Sequence, residues 1–110
     1  MSAESPDHTS GLSAAAARDH IATEVERVAR RWQQLPLDRA LSASPKLRDL
    51  IQGLADEVAG ARGWPNRPVP DLGPAVLMDQ LRVMLFDHAD AGLDPTPLAE
   101  SMTKHRRALP

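Results

Sequence analysis

Apolar residues recur along the chain at spacings of three and four, the period of an amphipathic helix. Ala14, Ala17, Ile21, Val25, Val28, Trp32 and Leu35 form the first such series, with Ser13 as the expected N-cap and Pro36 as the stop. Its expected outer face carries Glu24, Glu26, Arg27, Arg30 and Arg31. The stretch Leu37 to Ala43 predicts one short turn, and Ser44-Pro45 reads as an N-cap and first-position pair for a second helix. In that helix Leu47, Ile51, Leu54, Val58 and Ala61 repeat at four, three, four and three, and Gly63 ends it. Gly53 stands inside it at a cost of about 1 kcal/mol relative to alanine, which predicts either the close approach of a neighbouring helix, the favoured reading, or simple tolerance of that cost.

Trp64 to Gly73 contains Pro65, Pro68 and Pro70, each lacking a backbone donor and fixing φ, so an extended connector is expected between two helical pairs. Gly73-Pro74 opens the third helix. There Val76, Leu77, Leu81, Met84 and Leu85 form the main stripe, while Met78, Val83 and Phe86 widen the apolar surface beyond what one neighbour can cover. Gly92 ends this helix, and Asp94-Pro95-Thr96-Pro97 starts a fourth, marked by Leu98, Met102, His105 and Leu109. Met1 to Leu12 show no apolar period and are expected to be a disordered tail. The expected fold is therefore all-α: a four-helix bundle-like single domain over residues 13–110, with a Pro-rich connector between helices 2 and 3.

Composition agrees with that class. The chain has 110 residues, 17 of them Ala and 14 Leu against only three aromatics, a mixture that favours helix over sheet. The absence of cysteine removes disulfides, thiolate nucleophiles and cysteine-based metal sites. No apolar run reaches the roughly 20 residues of a bilayer span, so no membrane association is expected and a cytoplasmic location is. Eleven Arg against two Lys, with abundant Ala, is the composition expected of a GC-rich bacterial genome. The formal net charge is −2, too little and of the wrong sign for a general attraction to nucleic acid. It divides unevenly: residues 64–94 carry −3 and residues 95–110 carry +2.

Candidate chemistry is sparse. Asp87, His88, Asp90 and Asp94 cluster in sequence, but Asp87 and His88 diverge by about 100° around a helix, and only Asp87 and Asp90 share a face. No metal ligand set and no cofactor follow. His88 falls on the apolar stripe and is expected to be half-buried, hydrogen-bonded to a carbonyl or carboxylate. Ser101 and His105 stand four apart, within reach of each other, yet no third residue orients the imidazole and no glycine-rich turn offers an oxyanion hole, so no catalytic residue is assigned.

The segment His88 to Leu109 resembles in part the DNA-binding helix-turn-helix. That resemblance implies a turn at Gly92-Leu93, an inward Leu98, and phosphate contacts from Lys104, Arg106 and Arg107. The chain departs from the motif at His88, where a small residue is usual, at Ser101, where an apolar one is, and in the length of the preceding helix. The reading favoured by the excess apolar surface is a non-enzymatic protein of interaction or self-assembly. Its partner is expected to be a second copy, met through Met78, Val83 and Phe86, with Arg82 reaching Asp79 or Asp87 across a symmetry axis. The alternatives are a DNA-binding regulator and a small-ligand carrier or enzyme with an unrecognised site.

Overall fold

A computed structural model describes the backbone of residues 6–110 and the side chains of residues 13–110. Of the tail expected to be disordered, residues 1–5 lie outside the described residues, and the backbone of residues 6–12 is helical. The elements are α1 (Pro6–Gln34), α2 (Leu37–Arg62), a short 3₁₀ turn (Pro74–Val76), α3 (Leu77–Asp90) and α4 (Thr96–Ala108). The fold is all-α and bundle-like, as the periodicity predicts. Among the described residues no helix is long and apolar enough to cross a membrane.

Two boundaries differ from expectation. Ser13 lies inside α1 rather than capping it. α2 is one continuous helix from Leu37, with Pro45 in its interior instead of at a start. Packing explains the continuity: Ala40, Ser44, Leu47, Ile51, Leu54 and Val58 are all buried at spacings of four and three, so one core-facing stripe runs straight past the proline. Proline removes the bond that would reach the Leu41 carbonyl, but Leu41 is exposed and water can satisfy that oxygen. One turn earlier the Ser44 hydroxyl donates to the Ala40 carbonyl at 2.7 Å.

The ends of α2 and α3 follow their glycines. Gly63 adopts φ 71° and Gly92 φ 73°, the left-handed region that costs other residues strain. Beyond each, the next amide reaches back over the last turn, Trp64 N–H to the Ala59 carbonyl at 2.8 Å and Leu93 N–H to the His88 carbonyl at 3.4 Å.

The helices associate most closely as α1 with α4 and α2 with α3, so the connector does not divide the bundle into sequential pairs. Both close pairs are parallel. His20 meets Thr103 and Glu24 meets Arg106 along the first; Glu57 faces His88 and Arg62 meets Asp90 along the second. A parallel α2–α3 pair requires the chain to travel back along α2, which the extended connector does. Gln52 fastens it there, its amide donating to the Arg67 carbonyl at 3.0 Å and its carbonyl accepting the Val69 N–H at 2.8 Å. Gln80 donates to the Pro70 carbonyl and Trp32 Nε1 to the Pro74 carbonyl, each at 3.0 Å.

One core joins all four helices: Val25, Val28 and Trp32 from α1, Leu47, Ile51 and Leu54 from α2, Leu77, Met78 and Leu81 from α3, and Leu98 and Met102 from α4. Met78 is thus a core residue, 7% exposed, and not part of an outward face. Met78, Leu81, Leu85 and His88 are spaced three, four and three, which puts the methionine on the inner stripe together with Leu77.

Candidate functional site

The candidates singled out in the sequence fall mainly on two features outside the core: the outer face of α3 and a cleft between α2 and α4. On α3, Val83 and Phe86 stand one turn apart and are 53% and 69% exposed. They share their helix with the buried Leu77 and Leu81, so the inward side of α3 is already filled without them. Arg82 lies with its guanidinium 3.4 Å from Glu26 of α1. Both members of that pair are exposed, and such a surface bridge contributes little to stability.

The cleft is about 380 Å³ in volume. From α2 it is bordered by Asp49, Gly53 and Glu57, three positions four apart on one helical face. Facing them are His88 at the end of α3, Asp94 in the following loop, and Ser101 and His105 on α4. Of the separate candidates in the sequence, His88, Asp94, Ser101 and His105 are brought to one place, while Asp87 and Asp90 do not border it and Asp90 pairs with Arg62. Leu50, Leu54 and Leu98 form its apolar wall.

His88 is more buried than expected, at 3% exposure, and its ring makes no hydrogen bond to the described residues. Its Nε2 lies 3.8 Å from Glu57 Oε2, too far for a hydrogen bond though close enough for attraction when the ring is protonated. His105 Nδ1 lies 2.9 Å from the Ser101 carbonyl, a contact in which only the nitrogen can donate. The same nitrogen is 3.5 Å from the Ser101 hydroxyl. Because Nδ1 carries the proton, it cannot accept one from that hydroxyl, and the pair lacks the polarity of a nucleophile and its base. Asp94 accepts the Thr96 N–H at 3.0 Å. Hydrogen bonds from the Thr96 backbone and side chain, aided by the charge of His88, hold its carboxyl below the usual aspartate range. Among the described residues no three His, Asp or Glu side chains converge as a metal-holding group.

The basic helix α4 differs from its expected use. Arg106 Nε lies 2.8 and 2.9 Å from the two oxygens of Glu24, a carboxylate with 0% exposure. Arg106 is therefore an internal partner of α1, while Lys104 and Arg107 remain exposed. Burial pushes the Glu24 carboxyl up, but hydrogen bonds from Arg106 and Thr103 and the charges of Arg106 and His20 outweigh it, leaving the group below its ordinary value. Arg27 approaches the same carboxylate at 3.5 Å.

Sequence reading places Glu24 on the outer face. A signal against that placement exists: Ala17, Ile21, Glu24 and Val28 are spaced four, three and four, the repeat of a core stripe. A charged residue at such a position calls for a buried counter-charge, and Lys104, Arg106 and Arg107 form a basic cluster at the end of another helix. No family model, curated protein or solved structure matches this chain.

Proposed function

We propose that the protein is a non-enzymatic interaction module of the cytoplasm whose partner is a second copy of itself, met through the outer face of α3. The observation that carries the reading is the pair Val83 and Phe86, adjacent on one face and both more than half exposed. A two-fold axis near Phe86 would bury the two rings against each other, and such aromatic anchors supply much of the energy of small interfaces. Asp79 and Asp87 flank the pair on the same helix. Arg82, already near Glu26, is then a rim residue rather than a contact across the axis.

Light scattering on the full chain at about 100 μM decides between one-chain and two-chain mass, since a dimer with a dissociation constant near 10 μM is mostly assembled there. Phe86→Asp should give a folded single-chain species with the helical signal of the parent. Single-chain mass for the parent protein overturns the reading. Salt-dependent retention of duplex DNA by the parent would instead favour a role for Lys104 and Arg107 at phosphates.

A further inference from the structure

Val83 and Phe86 alone make a small contact, far short of the roughly 800 Å² per partner that a stable interface buries. An interface built on them must therefore continue beyond them. On α3 the positions Asp79, Val83, Phe86 and Asp90 are spaced four, three and four, and they fall within about 60° of one another around the helix. Leu77, Leu81 and His88 are buried on the opposite side. The outer stripe is thus two apolar residues between two carboxylates.

The two carboxylates differ in their surroundings. Asp79 is exposed and has no ion-pair partner among the described residues. Asp90 accepts from Arg62 Nη2 at 2.8 Å, and the same guanidinium lies 5.4 Å from the centre of the Trp64 ring. Arg62 is held from both sides, yet it keeps N–H donors beyond the one that Asp90 takes, since a guanidinium carries several.

We propose, resting on the self-association argued above, that the two α3 helices of the dimer cross antiparallel, with Asp79 of each copy bound to Arg62 of the other. Charge selects that crossing. An antiparallel pair centred between Val83 and Phe86 sets each Val83 against the other copy's Phe86 and, about 8 Å from the centre, each Asp79 against Asp90 and its arginine. A parallel pair sets Asp79 against Asp79, where the neighbouring Arg82 already faces Glu26, and the like charges oppose association. The antiparallel crossing also brings the start of α3, preceded by Leu72, to the other copy's Arg62 and Trp64. Leu72 and Trp64 are both more than half exposed, so apolar surface continues past the stripe at either end.

Light scattering of the full chain over a concentration series tests the crossing with two charge reversals. Asp79→Arg sets arginine against Arg62, and Arg62→Asp sets carboxylate against Asp79, so each variant alone should dimerise about tenfold more weakly than the parent. Mixed in equal amounts, the two variants should recover parent-like dimer, because both contacts of the mixed pair again join Asp to Arg. A mixture that stays single-chain while the parent dimerises overturns the antiparallel crossing and leaves the α3 interface standing; single-chain mass for the parent overturns both. If Arg62→Asp loses the helical signal of the parent, Asp79→Asn and Arg62→Gln decide the matter singly and together. The double variant should then dimerise no more weakly than the weaker single one, and losses that add overturn the proposal.

Discussion

Toward α1, helix α4 presents Arg106 to a fully buried Glu24; toward α2, it presents Ser101 and His105 to a cleft edged by Asp49 and Glu57 with no Lys or Arg on its border. The first seam is closed and charge-matched, and its polar groups are engaged with one another. The second is open, its carboxylates meet no Lys or Arg, and the His88 ring lies 3.8 Å from Glu57 without hydrogen-bonding it. Residue type does not separate the two, since both contain His, Ser or Thr, and carboxylate. What separates them is whether each charge meets its complement inside the chain. A matched buried pair serves the fold, because either member alone would be a buried charge without compensation. Exposed, loosely paired groups around an open cleft add little to the fold.

The comparison is broken most forcefully at Arg106. Arg106→Ala leaves the Glu24 carboxylate buried without its main partner, and a loss of about 3 kcal/mol is expected from denaturant unfolding. Replacing both residues together, Glu24→Leu with Arg106→Leu, should recover most of that loss, because an apolar pair carries no desolvation penalty. If Arg106→Ala melts with the parent, the seam is not the closed one described.

Acid should act on the same seam. The depressed Glu24 value means that the folded state binds this proton less readily than the unfolded state does. Its contribution is fully present above the ordinary value of about 4.5 and disappears as pH falls through the lower folded value. Stability of the parent therefore drops on acidification through that window, and Glu24→Gln should show a shallower drop. The check is a series of urea melts across that pH range; parallel curves would mean that Glu24 titrates alike in both states.

The connector gives a smaller effect. Gln52 bonds to the Asp56 carboxylate at 2.8 Å as well as to two connector backbone groups. Gln52→Ala removes all three and leaves the partly buried Val69 N–H without a partner, for an expected loss of about 1–2 kcal/mol. Amide exchange at Val69 should quicken more than exchange in the α1–α4 seam. Equal quickening in both would show that Gln52 supports the whole bundle rather than the return path of the chain.

How much of this is legible in the sequence depends on what each feature rests on. Four helices, the extended proline segment and the stops at Gly63 and Gly92 follow from local rules of period, φ and missing donors, and the structure has them. The continuation of α2 through Pro45 does not, because a tertiary stripe from Ala40 to Leu54 overrides a local break signal. Met78 is misread by assigning one stripe to α3 where two overlapping ones, through Leu77 and through Met78, both face inward. The cleft is invisible for a different reason: its members lie on three elements, and only the parallel pairing of α2 with α3 brings Glu57 to His88. Helix period predicts which way a side chain turns, but not which helix it turns toward.

The smallest expected effect is also the sharpest test of the open seam, because it has the opposite sign. If Gly53 were there for close packing, Gly53→Ala would force a methyl into a neighbour and destabilise the domain. The built Cβ meets no atom within 4 Å, so alanine adds no clash and removes the conformational freedom that glycine retains in the unfolded chain. A gain of about 0.5–1 kcal/mol is expected, visible as a higher urea midpoint at unchanged slope. A loss of that size would mean that the cleft is narrower than 380 Å³ implies, and that α2 and α4 approach at Gly53 as α1 and α4 do at Glu24.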